Sequence, residues 1–203
     1  MTRRQTRNEN LRLVLARESA RIMAEHGIDD FLLAKRKAAE RLGVTDHAAL
    51  PGNQEIETAL SEHLRLFAGQ IHKDHLQNLR ELALDTMRNF DQFQPKLVGP
   101  VLNGTATPHS DITLHLFSDP TELVAMRLMA LNTSYALGER NIRFADRTEA
   151  YPVYRFEVDQ VQMEMTVFPG IMQRQAPRSP VDGKSMRRAG IMELQNLIEA
   201  GQS

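Results

Sequence analysis

Apolar positions recur at helical spacing through the first half of the chain. Leu11, Val14, Leu15, Ile22 and Met23 fall on one face, and Gly27 stands where a helix C′ residue would, which predicts a first helix from about Asn8 to His26. Asp29 and Asp30 offer N-caps for a second helix that runs through Leu42 and closes on Gly43. Pro51-Gly52-Asn53 then breaks the chain. Over residues 54–93, Ile56, Leu60, Leu64, Phe67 and Ile71, followed by Leu79, Ala83, Met87 and Phe90, hold a single stripe at steps of three and four. One long helix or two are expected there. Ala68-Gly69 is the weak point, because glycine costs about 1 kcal/mol in a helix interior.

After Pro95 the pattern turns strand-like, in runs over Lys96–Leu102, Ile112–Phe117, Asn141–Ala145, Tyr151–Val158 and Val161–Phe168. Between the second and third, Thr121–Leu137 reads as a helix capped by Asp119-Pro120 and ended by Gly138. A Pro- and Arg-rich loop, Pro169–Gly183, leads to a last helix over Ser185–Ala200, closed by Gly201. The expected fold class is α+β. An N-terminal helical region, residues 1–94, is expected to pack on a small mixed β-sheet built from residues 95–203.

A chain of 203 residues with 41% hydrophobic and 25% charged positions has ample material for one medium domain or two small ones. With no Cys, disulfide frameworks, thiolate zinc sites, iron–sulfur clusters and cysteine nucleophiles are excluded. The amino-terminal residues meet a charge every few positions and lack the apolar run of a signal peptide. No other stretch approaches the ~18 apolar residues of a membrane span. A soluble cytoplasmic protein without a membrane partner is the expectation.

Net charge is −1 but unevenly spread, with 10 Lys/Arg against 6 Asp/Glu in residues 1–44 and 5 against 1 in residues 172–190. Basic ends can meet phosphate, and the first two predicted helices resemble a helix-turn-helix in outline, so a nucleic-acid-binding or assembly module is one reading. Solvated basic faces account for the same pattern. His72 and His75 stand three apart on the long helical stripe, a spacing that can place two imidazoles on one face, with no third ligand nearby.

Residues 97–117 carry the chemistry. They read as an apolar strand, a Gly104-Thr105 turn, a short polar loop, and Ser110-Asp111 opening a second apolar strand. Alternation puts Asp111, Thr113 and His115 on one side of that strand and Gln162, Glu164 and Thr166 on one side of the last strand, so the two polar faces could share a cleft. This order of helix, strand, Gly-Thr turn and Ser-Asp strand resembles the nucleotidyltransferase superfamily over about residues 78–168. In that family a glycine followed by a small hydroxyl residue lets the backbone approach a triphosphate, and carboxylates on the next strand and its neighbour bind magnesium. The resemblance therefore implies Gly104, Thr105 and Ser110 as nucleotide-binding positions, Asp111 and Glu164 as catalytic and metal-binding acids, and Mg²⁺ or Mn²⁺ as cofactor.

Thr113 stands where that family has its second strand acid. A neutral hydroxyl removes a full charge and a bridging ligand from a two-metal centre. Asp119, Glu157 and Asp159 are the acids that could be recruited instead. Asp182-Gly183-Lys184-Ser185 ends like a P-loop, but the first glycine of that motif is replaced by Arg178 and no strand leads in. What remains is a turn with Lys184, Arg187 and Arg188 at the start of the last helix, where Lys184 and Arg187 could meet a triphosphate. The resulting expectation is a nucleotidyltransferase-like protein, catalytically active or degenerate, that binds a nucleoside triphosphate with Mg²⁺ and passes a nucleotidyl group to an unknown acceptor. The alternatives are a non-enzymatic nucleotide-binding protein and a nucleic-acid-binding or interaction protein.

Overall fold

The computed structural model describes residues 3–45 and 49–201. Part of the basic amino-terminal stretch, namely residues 1 and 2 and the side chains of residues 3–7, lies outside the described residues. The chain divides into two compact units. The first comprises residues 1–74, 105–110 and 180–182, and the second residues 75–104, 111–179 and 183–203.

The first unit is helical. α1 (Arg3–His26), α2 (Phe31–Arg41) and α3 (Asn53–Phe67) follow the apolar stripes of the sequence. Asp30 caps α2, its Oδ1 accepting the N–H groups of Leu32 at 2.7 Å and Leu33 at 3.2 Å, which satisfies donors that have no helical partner. Where the helices meet, Ala16, Ala20, Ala34 and Ala59 are buried alongside Met23, Ile56, Leu60 and Leu64. Small residues let the backbones approach, and the larger apolar side chains fill the space between them. Arg12 on α1 grips both carboxylate oxygens of Glu55 on α3, with Nε at 2.9 and 2.8 Å. The stripe over residues 54–93 is broken at Ala68, and α4 (Gly69–Asn89) begins on Gly69 with φ +44°.

In the second unit, α4 passes through a 3₁₀ turn (Asp91–Phe93) into β1 (Lys96–Val98), α5 (Gly99–Asn103) and β2 (Ile112–Phe117). α6 (Glu122–Ala130), β3 (Ala136–Arg143), β4 (Thr148–Val158), β5 (Val161–Phe168), a second 3₁₀ turn (Gly170–Arg174) and α7 (Ile191–Gly201) follow. The strands form one five-stranded mixed sheet in the order β1-β2-β5-β4-β3, in which only the β2/β5 pair is parallel. The fold class is α+β. One sheet face is apolar: Leu97, Ile112, Leu114, Leu116, Met163, Met165 and Val167 are all buried. Among the described residues no helix is long and apolar enough to cross a membrane.

Four expectations are corrected. The run Lys96–Leu102 is not one strand, because Gly99 adopts φ +73° and Pro100 opens a short helix. The helix expected to reach Leu137 stops at Ala130, where Asn132 turns to φ +52° and Thr133 closes the end through its N–H to Leu128 O. Leu137 and Gly138 consequently belong to β3. Asp119 does not cap α6; its Oδ2 accepts the Gly170 N–H at 2.8 Å. The last helix begins at Ile191 instead of Ser185, because Ala189 is drawn into two backbone hydrogen bonds with Leu97 of β1, at 2.8 and 3.0 Å.

Leu114 is fully buried on the apolar face of a central strand. Leu114→Ala is expected to lower unfolding stability by about 2–5 kcal/mol, read as a drop in the denaturant midpoint at unchanged slope.

Candidate functional site

Register turns the polar sides of the strands into rows across the second sheet face. One row runs Val98, Thr113, Glu164, Arg155 and Ala136 from β1 to β3. The next runs Lys96, His115, Thr166, Val153 and Gly138. Thr113 and Glu164 are therefore direct cross-strand neighbours, and the polar sides of β2 and β5 do form one surface.

Glu164 is 5% exposed. A carboxylate buried to this degree needs paired charge or donors, and it has two partners. Arg155 on the adjacent β4 donates through Nε to Oε2 at 3.0 Å, and Arg140 on β3 donates through Nη1 to Oε1. The Arg155 guanidinium lies over Gly138, where a Cβ would stand only 2.8 Å from Nη1, so the missing side chain leaves its path across the sheet open. Asp111 precedes β2. Partial burial and the nearby Glu164 charge push its carboxyl above the usual range, against the pull of Arg140 and Arg155. Asp111, Glu164, Arg140 and Arg155 thus act on one another as a cluster of two acids and two bases.

This donor set does not fit a two-metal centre. Both Glu164 oxygens are engaged by guanidiniums, Thr113 is neutral, and Asp111 is the one acid of the cluster without an ion pair shown to it. Two-metal chemistry needs carboxylate oxygens that bridge the ions, whereas here the fold brings two cations to the position where a divalent cation would have to sit.

The residues expected to hold phosphate are arranged differently from the expectation. Gly104 is the C-cap of α5, with φ +85° and its N–H given to Pro100 O at 2.8 Å, so it ends a helix and its donor is spent. Thr105 and Ser110 are buried in a loop that belongs to the helical unit. There the loop satisfies itself: Ser110 Oγ accepts the Thr107 N–H at 2.9 Å, and Ser110 N–H donates to Thr107 O at 3.1 Å. Gly99 stands next to Thr113, a Cβ there meeting its Oγ1 at 3.9 Å. Val98-Gly99-Pro100 carried the signal for it, a glycine and a helix-opening proline directly after a strand.

Lys184 and Arg187 do not open a helix. Lys184 O accepts the Ser179 N–H at 2.8 Å in a tight turn, and Arg187 pairs with Glu193 at 3.6 Å. Arg140 and Arg155, which the sequence reading left out, are the basic residues at the cluster.

One row along, His115 is buried with Nδ1 unpartnered. Burial, reinforced by the charges of Arg188 and Arg140, holds its pKa down at about 3. An unfolded histidine titrates near 6.5, so between these values the unfolded chain binds a proton that the folded chain refuses. Stability is expected to fall as pH drops through that window, by up to about 1.4 kcal/mol per pH unit from this residue. Urea unfolding across the window should show a shallower slope in His115→Asn. At neutral pH, Glu164→Gln should cost about 1–3 kcal/mol by leaving two guanidiniums without their counter-charge, again read from the urea midpoint. No protein-family model, curated protein or solved structure matches this chain.

Proposed function

We propose that this chain is a nucleotidyltransferase-like protein that binds a nucleoside triphosphate and has lost two-metal nucleotidyl transfer. The pairing of Glu164, opposite Thr113, with both Arg140 and Arg155 carries the reading. The neighbouring strands of Asp111 and Glu164 agree with the family resemblance, while the neutral Thr113 and the occupied Glu164 oxygens argue against transfer. Each guanidinium gives one N–H to Glu164 and is close to half exposed, at 46% for Arg140 and 44% for Arg155. Arginine forks suit phosphate oxygens, and a polyphosphate would meet two of them here. A Mg²⁺ or Mn²⁺ ion would arrive as companion of the nucleotide, with Asp111 as the carboxylate able to meet it. The acceptor position of an active transferase has no assigned residue in this reading.

Thermal unfolding with each of the four common ribonucleoside triphosphates, with and without Mg²⁺ or Mn²⁺, tests it. A ligand at about 100 times its Kd adds about 2.7 kcal/mol, enough to raise Tm by several degrees. The expected result is a rise with at least one triphosphate that survives chelation of divalent ions and survives Asp111→Asn. It is expected to shrink in Arg140→Gln and Arg155→Gln, with no transfer of labelled α-phosphate to any acceptor supplied. A rise that requires metal and disappears in Asp111→Asn would favour an active carboxylate site, and no rise with any triphosphate would end the nucleotide reading.

A further inference from the structure

A cleft of about 570 Å³ opens at the carboxyl end of β2, within the second unit. That volume falls in the range of small-molecule sites, roughly 300–1,000 Å³. Two rings line it: Phe93, from the 3₁₀ turn before β1, and Phe117, the last residue of β2, both buried. α6 contributes Leu123, Met126 and Arg127, which the helical period sets on one face. Leu123 and Met126 are 40% and 63% exposed, so the cleft offers apolar surface that the fold itself does not cover.

Two opposite charges complete the lining. Asp119 follows β2, and its Oδ2 accepts the Gly170 N–H at 2.8 Å; Arg127 donates through Nε to Asn89 O, at the end of α4, at 2.9 Å. These bonds hold each side chain in place while using one oxygen of the first and one nitrogen of the second. Among the described residues neither group forms an ion pair, with the other or with any third charge. The second carboxylate oxygen and the two terminal guanidinium nitrogens are thus available at one cleft. A purely anionic ligand would meet the like charge of Asp119 there, and a purely cationic one that of Arg127. A molecule with both charges on an apolar body answers the acid, the base and the rings together.

We propose that this cleft binds a hydrophobic α-amino acid, with its ammonium on Asp119, its carboxylate on Arg127 and its side chain against Phe93, Phe117 and Met126. The two terminal nitrogens of a guanidinium match the two oxygens of a carboxylate, and an ammonium brings three donors to the acid. Ring and thioether contacts suit an aromatic or branched side chain. The site shares no residue with the Glu164 cluster and does not depend on the nucleotide reading.

L-phenylalanine is the probe, titrated into full-length protein labelled with ¹³C in the methionine methyl groups, with the Met126 signal identified by its loss in Met126→Leu. The titration runs to about tenfold above the roughly millimolar Kd expected of so small a ligand. The expected result is a saturable shift of the Met126 methyl with phenylalanine. 3-Phenylpropionate, which lacks the ammonium, and phenethylamine, which lacks the carboxylate, should each bind about tenfold more weakly. Asp119→Asn, which keeps an oxygen for the Gly170 N–H, should abolish the preference over 3-phenylpropionate, and Arg127→Gln the preference over phenethylamine, each with native circular dichroism. The absence of a saturable Met126 shift in the wild type overturns the site. Equal affinity of the wild type for all three ligands also overturns it, since the charges then take no part in binding.

Discussion

The parallel pairing of β2 with β5 fixes the arrangement of the polar sheet face in the second unit. Its register sets Thr113 against Glu164 and His115 against Thr166 on one face, while Ile112, Leu114, Met163 and Met165 go to the other. A slip of one residue would exchange the faces and put three or more charged or polar side chains into the apolar layer. Burial of the aliphatic face therefore does more than stabilise the sheet. It determines that one carboxylate is set among polar neighbours with access to guanidiniums from the two strands beyond it.

From that register follows a particular division of labour between acids and bases. A carboxylate at position 164 is compatible with holding a metal ion or with anchoring cations, and the outcome depends on what the next strands deliver. β4 delivers Arg155 directly opposite, its guanidinium lying over Gly138, and β3 delivers Arg140. With both in place, Glu164 anchors two guanidiniums. The same face carries Arg188 and Lys96 toward its β1 side.

Much of this was legible in the sequence. The helical stripes, the exact span of β5 and the shared polar face of β2 and β5 came from periodicity, because long amphipathic patterns and strict alternation report burial directly, while Ala68-Gly69 stood out as a weak point only through the cost of glycine inside a helix. The neutral Thr113 was visible as a departure from an acidic motif. The partners of Glu164 were not, since Arg140 is 24 residues away and Arg155 9, and nothing in local pattern marks which basic residue will cross a sheet. Short apolar runs also misled: Lys96–Leu102 reads as a strand until Gly99 and Pro100 impose a helical turn, and Leu137 fits a helix stripe as well as it fits β3. Gly104 looked like a phosphate-approach glycine and is a helix stop, two roles that ask the same backbone freedom of the residue.

The pairing of Leu97 with Ala189 bears on how this sheet meets other chains. Exposed strand edges invite further strands, a route to aggregation that proteins block by covering or charging the edge. On the β1 side the cover is a return of the chain itself. On the β3 side, Arg178 N–H binds Arg143 O at 2.7 Å at one end, and Glu139, Arg140 and Arg143 add charge to the rest. The sheet is thus closed against intermolecular growth on one margin by backbone hydrogen bonds and guarded on the other by charge, and Arg140 serves both that guard and the Glu164 cluster.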